Sequence, residues 1–128
     1  LCIANRTIDK ARALAEYFSM SGPVTSCRFD QVPQTGGFDL VINATSAGLR
    51  GETPPYPGSA VSRDTLCYDL SYGLKPTAFM RWAHEQGAAM AVMGWGMLVE
   101  QAAESFRIWR GVRPDTAPIL SELPVTAK

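Results

Sequence analysis

The sequence predicts an α/β protein built on a parallel sheet, and three observations carry that expectation. Short apolar runs at residues 1–4, 24–29, 38–43, 66–70 and 88–93 have strand length and are bounded by turn-forming residues. Segments with helical spacing fall after several of them, so that successive strands need crossover connections, which are right-handed when the strands are parallel. The run at 38–43 also lacks polar alternation: Leu40, Val41 and Ile42 follow one another, the pattern of a strand buried on both faces.

Composition limits what such a protein does. With 128 residues and 46% hydrophobic content, one core is the expectation, without disorder or low complexity. Lysine plus arginine and aspartate plus glutamate stand at 12 each, so no overall field draws the chain to nucleic acid or an anionic membrane, and any anion site must be local. No apolar run approaches the ~20 residues that span a bilayer, and no leader pattern opens the chain, which reads as soluble and cytoplasmic. Cys2, Cys27 and Cys67 are odd in number, far apart and each within an apolar or β-like run, which suits buried reduced thiols and gives no disulfide framework or zinc spacing. The chain opens on Leu1 inside an apparent strand, as a piece of a longer protein would.

The elements follow in order. After residues 1–4, Ala11, Leu14, Ala15 and Phe18 recur at helical spacing, with Thr7 or Asp9 available as cap and Gly22-Pro23 as stop. Residues 24–29 form the second strand, the turn region 33–37 follows, and 38–43 is the third. Residues 50–57 hold three prolines and predict an ordered surface loop. Residues 66–70 give the fourth strand. Pro76 then suits a first helical turn; Ala78, Phe79, Trp82 and Ala83 share a face, and Gly87 is the stop. Residues 88–93 make a last strand. The strongest helix signal covers 97–109, where Leu98, Ala102 and Phe106 lie one turn apart beside Val99, Ala103 and Trp109, with Gly111 as terminator. A final short helix starts near Asp115 or Thr116 and runs to Leu123, before Pro124.

Polar groups gather where strands end. Beyond Ile42, Asn43, Thr45 and Ser46 offer amide and hydroxyl groups while Ala44, Ala47 and Gly48 keep the backbone approachable. In open α/β sheets ligands sit beyond the carboxyl ends of strands, so this is a candidate binding loop as well as a plain strand-to-loop junction. Asn5-Arg6-Thr7 also follows a strand, with Lys10 further along the helix. At such a strand end in a dinucleotide-binding fold, a carboxylate reads the ribose 2′-hydroxyl and an arginine accommodates a 2′-phosphate. Arg6 and Lys10, with no acidic residue immediately beside the strand end, favour NADP over NAD; the alternative is a solvated basic surface. Tyr72 follows the fourth strand and Gln101 lies among alanines on the long helix, each equally explicable as a structural residue. His84, beside Arg81, Glu85 and Gln86, reads as solvent-facing, and no lysine or carboxylate has an identifiable catalytic partner.

Together, Asn5-Arg6-Thr7, Ile42-Asn43-Ala44-Thr45-Ser46-Ala47-Gly48, Tyr68-Asp69-Leu70 with Tyr72, Gly94-Trp95-Gly96-Met97-Leu98-Val99-Glu100-Gln101-Ala102-Ala103 and the closing Trp109-Arg110-Gly111-Val112-Arg113-Pro114 resemble shikimate dehydrogenase over essentially the whole chain. The resemblance implies a truncated Rossmann-like, three-layer parallel sheet with C-terminal helices. Residues 1–93 would be part of an NADP-binding domain, and 94–128 helices that return to a substrate domain. It implies NADP as cofactor and reversible reduction of 3-dehydroshikimate to shikimate in aromatic amino-acid biosynthesis.

Residue by residue, Asn5, Arg6 and Thr7 would hold the 2′-phosphate. Lys10 stands where many members carry a second arginine, keeping the charge without the fork. Ala44, Thr45 and Ser46 would line the cofactor cleft. Leu70, Gly94 and Met97 would lie near the nicotinamide, and Tyr72 and Gln101 would contact shikimate. No metal site is implied. The lysine and aspartate of proton transfer, the Gly-rich phosphate turn and the substrate domain would belong to an N-terminal half outside these residues, leaving this chain without catalytic residues and inactive alone. The alternatives are a quinate/shikimate dehydrogenase using NAD and a non-catalytic nucleotide-binding module. A nucleic-acid methyltransferase fits less well, because Asn43 lacks the aromatic and proline surroundings that hold a flipped base.

Overall fold

The computed structural model describes residues 1–33, 37–47, 52 and 55–122. Five short strands and four α-helices follow the expected order: β1 (Cys2–Ala4), α1 (Ile8–Tyr17), β2 (Thr25–Cys27), β3 (Leu40–Asn43), β4 (Leu66–Asp69), α2 (Ala78–Glu85), β5 (Met90–Met93), α3 (Trp95–Arg110) and α4 (Ala117–Glu122). All strand pairs are parallel, but they form two sheets rather than one: β1 pairs with β2, and β3, β4 and β5 lie side by side.

The core sits under α2. Phe79, Met80 and Ala83 on its inner face meet Cys67 of β4 and Ala91 and Met93 of β5, with Val61 closing one side. Each fully buried side chain of the size of Phe79 or Met80 contributes roughly 1.5–3 kcal/mol. Thr77 caps the helix by accepting the Met80 N–H at 3.1 Å, so Pro76 lies just before the cap rather than in the first turn. Residues 55–57 do more than cover the surface, because the Tyr56 ring meets those of Phe29, Trp82 and Phe79 at 5.1, 5.4 and 6.0 Å. Residues 50, 51, 53 and 54 of the expected loop, like Gly48, Leu123 and Pro124, lie outside the described residues.

Three further expectations change. Leu40 and Ile42 are 48% and 53% exposed although both are apolar, so β3 is not buried on both faces. β3 is the edge of its sheet, and no strand covers its second side among the described residues. At α1 neither Thr7 nor Asp9 caps with its side chain; instead the Asn5 side-chain oxygen accepts the Thr7 N–H at 2.9 Å, and Asp9 meets Arg12 at 3.4 Å. The long helix begins at Trp95, two residues early, with Gly94 as its cap, and ends where Gly111 adopts φ 75° and donates to the Arg107 carbonyl at 2.8 Å. Ala103 is the one described residue of α3 that is buried; Phe106, Ile108 and Trp109 are exposed, with Phe106 and Trp109 one turn apart and Ile108 on another side of the helix.

The thiols are free, but of the three expected to be buried only Cys67 is; Cys2 and Cys27 are half-buried in the short β1–β2 sheet, their sulfurs 3.5 Å apart. Burial, then the neighbouring Cys2, pushes the Cys27 thiol up to about 11, and burial does the same for Cys67. His84 is exposed on α2, as the sequence predicts. Among the described residues no helix is long and apolar enough to cross a membrane, and no cluster of metal-ligating side chains occurs.

Candidate functional site

The carboxyl ends of β1 and β3 open onto a shared cavity of about 400 Å³. Asn5, Arg6, Thr7 and Lys10 form the side built by β1 and α1. Ala44, Thr45 and Ser46 form the side beyond β3. Seven residues singled out from two distant stretches thus meet around one space. The α1 N-terminus faces it with no side-chain oxygen of Thr7 bonded into the first turn, so backbone N–H groups and the positive end of the helix dipole add to Arg6 and Lys10. The two cations and the helix N-terminus suit an anionic group at their side of the cavity. Phe29, Ala47, Pro55 and Glu52 complete the lining.

Thr45 is held from below. The Asn43 side-chain oxygen accepts from the Thr45 N–H at 3.1 Å, the Thr45 hydroxyl at 2.8 Å and the Tyr56 hydroxyl at 3.1 Å. The Asn43 amide then donates to Asp69 Oδ1 at 3.0 Å. Asn43 is therefore turned into the protein and does not face a ligand. Asp69 Oδ1 also accepts the Ser71 N–H at 3.0 Å, and Oδ2 accepts the Thr77 hydroxyl at 2.6 Å. Burial raises the Tyr56 hydroxyl to about 12, against the hydrogen bond with Thr45 and with help from the charge of Asp69.

The remaining sequence-predicted residues fall elsewhere. Tyr72 is exposed beyond β4 and packs on Trp95 with ring centres 4.7 Å apart, while the Trp95 indole N–H donates to the Gly73 carbonyl at 3.0 Å. Gln101 is exposed on α3 and its side chain makes no hydrogen bond among the described residues. Gly94 is buried against the end of β4: a Cβ there would stand 2.5 Å from the Leu70 carbonyl oxygen, and its N–H donates to the Ser71 carbonyl at 3.0 Å. That contact explains the glycine without any ligand. Leu70 and Met97 are half-buried, and none of Leu70, Tyr72, Gly94, Met97 and Gln101 lines the cavity beside Arg6.

A second, apolar space of about 500 Å³ separates the two sheets. Leu1 and the β1 residues Cys2, Ile3 and Ala4 face it from one side and Leu40, Val41 and Ile42 of β3 from the other. The backbone hydrogen bonds of β1 all run to the β2 side and those of β3 to the β4 side. The slot is thus bordered by two strand edges without partners among the described residues, and it explains the exposure of Leu40 and Ile42.

Sequence reasoning missed Trp95 beside Tyr72, the lining residues Phe29 and Glu52, and the buried Asn43–Asp69 pair. For the pair a signal exists: both residues close apolar runs, and parallel pairing places them opposite each other. For Trp95 none does, since the Gly73 carbonyl that its indole meets lies 22 residues away in a loop.

Comparisons with known proteins agree with the motif resemblance. Residues 94–123 match the shikimate 5′-dehydrogenase C-terminal domain. The chain is 56% identical over 121 residues to shikimate dehydrogenase (NADP(+)) of Alkalilimnicola ehrlichii, covering 94% of this chain and 44% of that relative. Among solved structures, an Ael1 enzyme from Pseudomonas putida matches with TM-score 0.86 and 44% identity over 98% of this chain and 45% of that one. Shikimate 5-dehydrogenase from Thermus thermophilus, in complex with NADP(H) and shikimate, matches with TM-score 0.72 and 31% identity over 91% and 42%. The chain spans under half the length of these relatives, and its α/β fold with parallel strands and C-terminal helices is theirs.

Proposed function

We propose that this chain, which carries the C-terminal domain of shikimate dehydrogenases, is the cofactor-holding part of an NADP-dependent enzyme that reversibly reduces 3-dehydroshikimate to shikimate in aromatic amino-acid biosynthesis. The observation that carries the reading is the convergence of Asn5, Arg6, Thr7 and Lys10 with Ala44, Thr45 and Ser46 around one cavity at the carboxyl ends of two strands. Two cations and a helix N-terminus meet there, which fits a 2′-phosphate better than a free ribose hydroxyl. NADP supplies the hydride chemistry when bound. The residues of this chain bind and orient: Arg6 and Lys10 neutralise the phosphate, Asn5 holds the turn before α1, and Thr45 and Ser46 form the facing wall.

Residues 1–93 act as part of the nucleotide domain. The helices of 94–128 carry Gln101 and, with Tyr72, reach toward the substrate, with Leu70, Gly94 and Met97 on the nicotinamide side. The apolar slot takes a further strand that joins the two sheets, supplied by the half of the enzyme that also brings the proton-transfer residues. The exposed rings of Phe106 and Trp109, one turn apart on α3, suit a helix that packs on that half. The reaction belongs in the cytoplasm.

Steady-state oxidation of shikimate by the full-length enzyme, with NADP and with NAD, tests the reading. Higher kcat/KM with NADP supports it. A clear NAD preference, or no shikimate oxidation, overturns it. Residues 1–128 alone are expected to show no turnover, and measurable turnover would contradict the assignment of chemistry to the missing half.

A further inference from the structure

Asp69 is fully buried and Asn43 is 1% exposed, the deepest polar pair among the described residues apart from Thr65. No ion pair of the described residues reaches Asp69. A buried carboxylate without a cation is costly unless its lone pairs are filled, and for stability alone apolar packing serves as well or better. Here every polar atom of the pair is satisfied, three donors on Asp69 and three on the Asn43 oxygen.

The pair stands where two loops leave the sheet. Asn43 and Asp69 face each other at the last register position of β3 and β4. From Asn43 the bonds run to both polar groups of Thr45, the wall of the phosphate cavity. From Asp69 they run to Ser71, directly before Tyr72, and the Ser71 carbonyl in turn accepts the N–H of Gly94 at the start of α3. One hydrogen-bonded path therefore sets the height of the cofactor loop, the substrate-side loop and the long helix against a common point.

We propose that Asp69, through Asn43, is a positioning residue that fixes the Thr45 loop and the Ser71–Tyr72 loop relative to each other, so that two ligands held by different loops meet in register. The inference rests on the proposed function. Hydride transfer is sensitive to small misplacements of this kind, and a shift of about 1 Å costs about a hundredfold in rate. Asp69 touches neither ligand and acts through the two loops.

The test uses the full-length enzyme. Asp69→Asn keeps the shape but turns a donor toward the Thr77 hydroxyl and removes the charge from three hydrogen bonds. Expected are a kcat lowered about tenfold and KM values for both NADP and shikimate raised about threefold or more. Ala83→Gly, in the buried face of α2 and outside both loops, is the stability control. At a similar loss of Tm it is expected to leave kcat and both KM values within about twofold. Tyr56→Phe keeps the ring packing and removes one donor to Asn43. It should raise KM for NADP about threefold with KM for shikimate unchanged, a split that general destabilisation does not produce.

Three results overturn the inference: Asp69→Asn with wild-type constants; constants that follow Tm equally in Asp69→Asn and Ala83→Gly; or, if Asp69→Asn does not fold, Tyr56→Phe with a wild-type KM for NADP. Absence of NADP-dependent shikimate oxidation in the wild type would instead overturn the function on which the inference rests.

Discussion

Replacing Gly94 by alanine probes how tightly α3 is seated on β4. The added Cβ would lie 2.5 Å from the Leu70 carbonyl oxygen, 3.0 Å from its carbon and 3.2 Å from the Asp69 carbonyl oxygen. All three are backbone atoms, which cannot swing aside, so the start of α3 or the end of β4 must move by about an ångström. Such overpacking costs about 1–3 kcal/mol. In an enzyme of the relatives' size that lowers Tm by about 2–4 °C for each kcal/mol. The displacement also strains the Gly94–Ser71 hydrogen bond and carries Trp95 away from Tyr72, so KM for shikimate should rise more than KM for NADP. Chemical denaturation of full-length Gly94→Ala, with steady-state constants alongside, measures both effects. Stability within about 0.5 kcal/mol of wild type would refute the packing argument, because a backbone overlap of this size cannot be absorbed so cheaply.

Trp95→Phe keeps a ring against Tyr72 but loses the N–H bond to the Gly73 carbonyl; the expected result is a KM for shikimate raised about three- to tenfold with KM for NADP unchanged, from about 1 kcal/mol for one lost hydrogen bond. Residues 1–128 expressed alone leave the slot between β1 and β3 open, so sedimentation or size-exclusion profiles should show concentration-dependent association, reduced by Ile42→Lys at the free edge; a monomer at all concentrations would contradict the open edge. Thiol reactivity follows from the raised values of Cys27 and Cys67. Near pH 8 a thiol moved from 9.0 to about 11 holds about a hundredfold less thiolate, so both should alkylate at least that much more slowly than an ordinary cysteine, with the rate at Cys27 climbing as pH rises toward 11. Ordinary rates at either position in the native protein would count against the described burial.

Much of this architecture is written locally. Apolar runs ended by Asn5, Asn43 and Leu70 mark strand ends, Gly111 in its left-handed conformation ends α3, and the apolar spacing of Ala11, Ala15, Phe79 and Ala83 specifies which helix faces turn inward. The convergence of Asn5, Arg6, Thr7 and Lys10 with Ala44, Thr45 and Ser46 around one cavity was legible for the same reason: these residues sit just beyond strand ends, where a parallel sheet must present them. The length of the apolar runs could not reveal that Leu40 and Ile42 are exposed, because that depends on what lies on the other edge of β3. Asp69 read as partnerless since its partners include Asn43, 26 positions away, and Thr77, the cap of the next helix. The Trp95–Tyr72 contact depends likewise on how α3 leaves β5, a matter of tertiary packing. Gly94 was read as a cofactor neighbour, whereas its close approach to Leu70 gives the glycine a packing reason of its own.

The most direct measurement compares binding of adenosine 2′,5′-bisphosphate and adenosine 5′-monophosphate to the full-length enzyme by calorimetry, in wild type and Arg6→Ala. Arg6 and Lys10 are exposed, so their charge-assisted contacts are discounted for screening to about 1–2 kcal/mol. The bisphosphate should bind about 5–30-fold more tightly than the monophosphate, and Arg6→Ala should remove most of that advantage while leaving the monophosphate unchanged. Equal affinity for the two nucleotides in the wild type would contradict a 2′-phosphate site formed by Asn5, Arg6, Thr7 and Lys10.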